Sequence, residues 1–197
     1  VNSDDLSKIR NFCKPFYSGT GKWHAWNHAE AVEKLAIKIA TSEFPEADLN
    51  VVRAASIAHD MGRIVRDEGH AEESARILKP FLDEIDIDDE IKDKILDAVA
   101  SHDVNKIEAA KHLEARIVYD ADKIEILSVY GFMRVWFWLI EERKMEISEA
   151  VQFLEKYCKK FKSTLYSNFA KDFVEQQYPL IEKMLKEFYA YEKKWRL

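Results

Sequence analysis

"IAHDMGR", residues 57–63, decides how this chain is read. A histidine and an aspartate stand side by side in a chain with only six histidines. They close the small and apolar run that begins "VVRAAS" at residue 51, and a glycine follows two residues after the aspartate. Such a run predicts a buried helix. Asp48 or Asn50 is placed to cap its start, and Gly62 to end it. The chargeable pair at its far end is either a polar last turn or half of a metal site.

Working outward, 197 residues suffice for one domain with a sizeable core. Hydrophobic residues make up 47% and charged residues 34%, with only five glycines and four prolines, a balance that suits an all-α fold. Strands would need more turn chemistry than that. The net charge of −6 argues against a nucleic-acid backbone as partner, while leaving room for a small anionic substrate in a locally positive pocket. Cys13 and Cys158 suggest no disulfide framework. "VWFWLI" (135–140) is the most apolar stretch and is far too short to span a membrane. The start of the sequence lacks the basic-then-apolar pattern of a signal peptide. The expectation is a cytoplasmic protein with no membrane association.

Periodicity near 3.6 runs through the chain and predicts eight to ten helices. The first ends near Pro15, and "SGTGKW" (18–23) follows as the most turn-like stretch. Further helices are expected over 27–44, from Asn50 through "AHDMG", over 71–82 with a halt near Pro80, and over 88–103. In the last of these Ile91, Ile95, Val99 and His102 share a stripe. Another helix enters Asp122, and long helices follow at 123–143, 148–170 and 172–195. The expected organisation is a single domain over 1–197, with a motif-bearing core at about 20–140 and helices 141–197 packed on it.

The ionisable residues near helix ends are the candidate site. His59, Asp60 and His102 lie at or near C-terminal ends, His28 lies near a start, and Asp122 follows the apolar "IVYDA". His28, His59, Asp60 and Asp122 would supply two imidazoles and two carboxylates. That mixture suits one divalent ion among Mn, Fe, Co, Ni, Zn and Mg, with positions left for water and substrate.

The order His…His-Asp…Asp resembles the HD superfamily of metal-dependent phosphohydrolases. "HAWNHAEAV" (24–32), "IAHDMGR", "EGHAEESARIL" (68–78) and "DADKIEIL" (120–127) each resemble a family segment, in the family's order. The resemblance covers roughly residues 20–140. It implies a helical fold with the metal on His28, His59, Asp60 and Asp122, and it favours Asp122 over Asp120. His24 and His28 have the i, i+4 spacing that would put two ligands on one helix face, a reading that fails if the helix begins at Asn27, and the resemblance favours His28 as the ligand with His24 near the pocket mouth. His112 reads as a surface residue.

A divalent ion lowers the pKa of bound water and polarises a phosphoryl oxygen. Arg63, Arg66 and Lys123 are candidates for the positive groups around the reacting phosphate, and Lys123 matches the family's basic position. The resemblance puts His70 and His102 at a second ion in two-metal relatives. Here Asp103 follows His102, so one metal is expected, with His70 and His102 lining the phosphate pocket. Arg63 also stands where stringent-response hydrolases and some nucleotidases carry an acid, which points away from those subtypes and leaves the general base unassigned. The aromatic group Tyr130, Phe132, Trp136, Phe137 and Trp138 is read as packing, and the apolar 129–140 stretch as compatible with a homodimer. The expected function is a phosphohydrolase acting on a nucleotide or other small phosphoester. The alternatives are a cyclic-nucleotide or other phosphodiesterase, a non-catalytic helical signalling module and a two-iron oxygenase.

Overall fold

Alanine and valine dominate Leu49–Ala58 (α3), and its last five residues, 54–58, are all buried. A helix covered on nearly every side must lie inside its layer of neighbours. The computed structural model describes residues 2–20 and 23–196. Among these, every regular element is helical. They fall into two compact units, one ending at Asp122 and the other beginning at Lys123.

In the first unit α3 packs against Ser3–Tyr17 (α1), Trp26–Glu43 (α2) and Asp89–Ser101 (α5), and His70–Glu84 (α4) packs on α5. Leu113–Ile126 (α6) carries the chain across the boundary between units. The core gathers Leu6, Ile9, Cys13 and Tyr17 of α1 with Ile57, Leu78, Leu82, Ile95, Val99 and Val118. The second unit holds Val129–Glu141 (α7), Ile147–Thr164 (α8) and Asn168–Trp195 (α9). Its buried residues include Phe132, Leu139, Leu154, Cys158, Val174 and Ile181. Both cysteines are free and buried.

Local chemistry sets the helix starts. Asn2 and Asp5 form a reciprocal capping box on α1. Asp48 rather than Asn50 caps α3, its Oδ1 accepting from the Asn50 and Val51 amides at 2.8 and 3.2 Å.

Several helix ends differ from the sequence expectation. Pro15 and Pro80 do not halt α1 or α4, and Pro179 lies inside α9. All three prolines face solvent, where water can reach the carbonyl that each leaves without an amide donor. The expected 123–143 helix is two helices, because the Ser128 Oγ caps α7 by accepting from the Gly131 amide at 3.0 Å. The next break falls at 165–167, where the Ser167 Oγ accepts from the Ala170 amide at 3.1 Å. Gly62 does not end α3, which stops at Ala58; it sits in a short 3₁₀ turn, Met61–Ile64, without a positive φ. Within "SGTGKW" the described part, residues 18–20 and Trp23, is non-helical, and residues 21 and 22 lie outside the described residues.

Of the aromatic group, Phe132 is buried while Tyr130 and Phe137 are exposed, so only part of it serves as packing. No helix among the described residues is long and apolar enough to cross a membrane.

Candidate metal centre

Five helices bring ionisable side chains to the first unit's interior. His28 is in the first turn of α2, and His59 is the residue on which α3 ends. Asp60 follows at φ −102° and ψ 6°, the bridge region that breaks a helix and turns a side chain aside. His70 opens α4, His102 ends α5, and Asp122 lies in the last turns of α6. All six are buried.

Two groups of donors share Asp60. The first is His28, His59 and Asp60, with Asp122 beside it: His28 Nε2 lies 3.7 Å from Asp60 Oδ2 and 3.4 Å from Asp122 Oδ1. His59 Nε2 lies 3.6 Å from Asp60 Oδ2 and 3.9 Å from Asp122 Oδ1. Donors bound at about 2.0–2.2 Å to one tetrahedral ion stand roughly 3.3–3.6 Å apart, so these four histidine–carboxylate separations match that spacing to within a few tenths of an ångström. In the second group Asp60 Oδ1 faces His70 Nε2 at 3.1 Å and His102 Nε2 at 3.6 Å. The two histidine Nε2 atoms are 3.0 Å apart.

Backbone carbonyls fix the tautomers. His59, His70 and His102 donate their Nδ1–H to the carbonyls of Ser56, Asp67 and Val99, each at 2.7 Å. In the neutral rings Nε2 is then an unprotonated lone pair aimed inward, the form a metal binds. Burial pushes His59 down to about 3, against the opposing pull of Asp60 and Asp122. Burial, and then the Arg63 guanidinium, lower His70. Burial would raise Asp60, but Arg63 with His59, His102 and His70 outweighs it and holds the carboxyl well below the usual range. His59 Nε2 is buried with no hydrogen-bond partner. A stranded acceptor of this kind costs about 1–3 kcal/mol. A divalent ion would satisfy it, and the mixed nitrogen and oxygen donors fit one.

Other residues hold these donors in place. The buried Tyr17 hydroxyl donates to the Ile57 carbonyl at 2.9 Å and accepts from the Asp60 amide at 3.3 Å. The Gly62 amide donates to Ser74 Oγ at 2.8 Å, tying the turn after Asp60 to α4. A Cβ on Gly62 would lie 2.3 Å from the His70 carbonyl oxygen, so this glycine serves close approach. Gly69, at φ 73°, makes the left-handed step that starts α4 at His70. Sequence reasoning missed Tyr17. It continues the Leu6–Ile9–Cys13 stripe, but nothing in that stripe shows where its hydroxyl points.

Of the expected basic groups, Arg63 is at the centre, with Nε 2.8 Å from Asp60 Oδ1 and Nη2 donating to His70 Nε2 at 3.1 Å. Arg66 is half exposed and pairs with Glu73 at 3.3 Å. Lys123 is buried, and its ammonium lies 5.2 Å from the centre of the Phe161 ring. His24 precedes α2, so the two histidines do not share a helix face; it is buried, with its ring 6.3 Å from that of His28. His112 pairs with Asp93 at 3.1 Å in an exposed contact.

Comparison with known proteins agrees with this geometry. The HD domain family matches residues 24–127. No curated protein matches the sequence. Among solved structures, a protein of Lactobacillus plantarum is 16% identical with a TM-score of 0.79, over 96% of this chain and 97% of that one. The Lin1889 protein of Listeria innocua is 20% identical with a TM-score of 0.73, over 100% and 99%. Bacillus subtilis YpgQ, solved in complex with ADP, is 21% identical with a TM-score of 0.68, over 96% and 94%. These likenesses establish the fold. With the family match over more than half the sequence and the buried histidine and aspartate donors, they show that the chain belongs to the HD domain family and has the fold of its metal-dependent phosphohydrolases.

Proposed function

We propose that the protein hydrolyses the phosphate group of a nucleotide or similar small phosphoester, using one divalent ion held by His28, His59, Asp60 and Asp122. The observation that carries this reading is the convergence of those four buried side chains, two imidazoles and two carboxylates, with adjacent donor atoms 3.4–3.9 Å apart. A divalent ion in such a site supplies Lewis-acid polarisation and a more acidic water.

The chain's own groups supply the rest. The neutral His59 ring is held in orientation by the Ser56 carbonyl. Arg63 brings positive charge to the cluster and stabilises the charge that develops on the phosphoryl oxygens. His102 presents an unprotonated Nε2 that can accept the proton the attacking water loses, while His70 Nε2 accepts from Arg63 and helps to hold the guanidinium in place. The new bond is from water oxygen to phosphorus, and the bond broken is from phosphorus to the leaving oxygen, which takes up a proton. The choice of a nucleotide is supported by a fold relative, YpgQ, having been solved with ADP.

The test is phosphate and pyrophosphate release from a panel of ribo- and deoxynucleotides, with Mn²⁺ or with chelator, beside Asp60→Ala. Mn²⁺-dependent release that Asp60→Ala abolishes is the expected result. Release from non-nucleotide phosphoesters alone would overturn the nucleotide assignment, and release that persists in chelator would overturn the metal dependence.

A further inference from the structure

The second donor group poses a problem of charge. Asp60 Oδ1, His70 Nε2 and His102 Nε2 converge, with separations of 3.0 to 3.6 Å. Both imidazoles have their proton on Nδ1, held by the Asp67 and Val99 carbonyls. Three acceptors therefore face one another in a buried space, an arrangement that needs a cation. Arg63 provides one. Its Nε lies 2.8 Å from Asp60 Oδ1, and its Nη2–H donates to His70 Nε2 at 3.1 Å. A third contact places Nη1 3.6 Å from Asp67 Oδ1. The guanidinium is thus held on three sides, and its side chain is only 17% exposed. It stems from the short Met61–Ile64 turn, which the Gly62–Ser74 hydrogen bond anchors to α4.

We propose that the Arg63 guanidinium stands in for a second metal ion at the Asp60–His70–His102 cluster. The chain then holds one divalent ion, and removing the guanidinium opens a second ion site. The inference rests on the four-donor reading above, since it concerns the other face of the same aspartate. An ion there would need the His70 lone pair that Arg63 occupies. It would also have to sit against a like charge that cannot be discharged, because guanidinium stays protonated. The same placement gives Arg63 its part in the reaction: it presents a fixed monocation to the phosphate where a second dication would otherwise stand.

The test is metal content by mass spectrometry after saturation with Mn²⁺ and desalting, paired with electron paramagnetic resonance of the bound Mn²⁺. The proteins are the wild type, Arg63→Gln, Arg63→Met, Arg63→Lys, and Arg63→Gln combined with His102→Ala. The expected result is one ion per chain with an isolated Mn²⁺ signal in the wild type and Arg63→Lys. The two neutral variants should bind two ions with an exchange-coupled signal, and the added His102→Ala should return the count to one. A coupled pair in the wild type overturns the proposal whether or not the neutral variants fold. A single ion in folded Arg63→Gln and Arg63→Met also overturns it while leaving the four-donor site standing. No ion in any of the proteins instead overturns the four-donor reading, and this inference with it.

Discussion

Asp60 turns one carboxylate oxygen to His28 and His59 and the other to His70, His102 and Arg63. No other described residue belongs to both donor groups. Asp60→Ala is therefore expected to release the metal and lower kcat/KM by about 10³-fold or more, since a bound ion supplies several kcal/mol to the transition state. Metal analysis and steady-state kinetics check this, and full activity with a full ion would contradict it. His59 gives a pH signature in the chelator-treated protein. Its folded value is about 3 against 6.5 for the free side chain. Between these values the unfolded chain binds a proton that the folded chain refuses, so stability rises with pH across that window. The contribution is whole above about pH 6.5 and is lost on acidification, reaching on the order of 5 kcal/mol near pH 3. Asp60, also lowered, adds a loss in the same direction at still lower pH. Thermal midpoints of the metal-free protein should fall steadily from pH 7 to pH 4, and a flat profile would count against a neutral buried His59.

The order of the donors along the chain made the site legible, because His-Asp at the end of a small-residue helix is a local pattern. What the sequence could not show was how the turn after α3 is held. The glycine after Asp60 looked like a helix stop, yet its work is to let the turn lie against α4. Gly62→Ala would put a Cβ 2.3 Å from the His70 carbonyl oxygen and 2.6 Å from the Ser74 amide nitrogen. Backbone must move, so a loss of about 2–3 kcal/mol in urea unfolding is expected, together with weaker metal binding. Tyr17→Phe tests the other support. It leaves the Ile57 carbonyl and Asp60 amide without the hydroxyl, at a cost of about 1–3 kcal/mol. Metal affinity should fall by about 10–100-fold, as for other groups that orient a ligand. Unchanged affinity by calorimetry would make the hydroxyl merely structural. Helix ends were the least legible feature. These prolines are tolerated on solvent faces, where the freed carbonyl can reach water, and sequence does not say which face is exposed.

Across the whole molecule, composition settled the fold class: few glycines, few prolines and a helical period left no material for sheets. The position of the break between the compact units, inside α6, carried no composition signal, because "IVYDADKIEIL" (117–127) runs through it with the same mix of apolar and charged residues on both sides and no glycine or proline. Five of the six clustered donors and Arg63 come from the segment between residues 28 and 102, and Asp122 closes the first unit. Ion binding thus draws together helices remote in sequence and favours the folded state. At a free metal concentration of 100 times Kd the expected gain is about 2.7 kcal/mol, read as a higher Tm with Mn²⁺ than with chelator. An equal Tm in both would contradict a folded-state site. The central claim, that His28, His59, Asp60 and Asp122 hold one ion, is tested most directly by anomalous X-ray diffraction from crystals grown with Mn²⁺. The account predicts a single strong peak within bonding distance of those four side chains. A peak elsewhere, or none at that position, would contradict it.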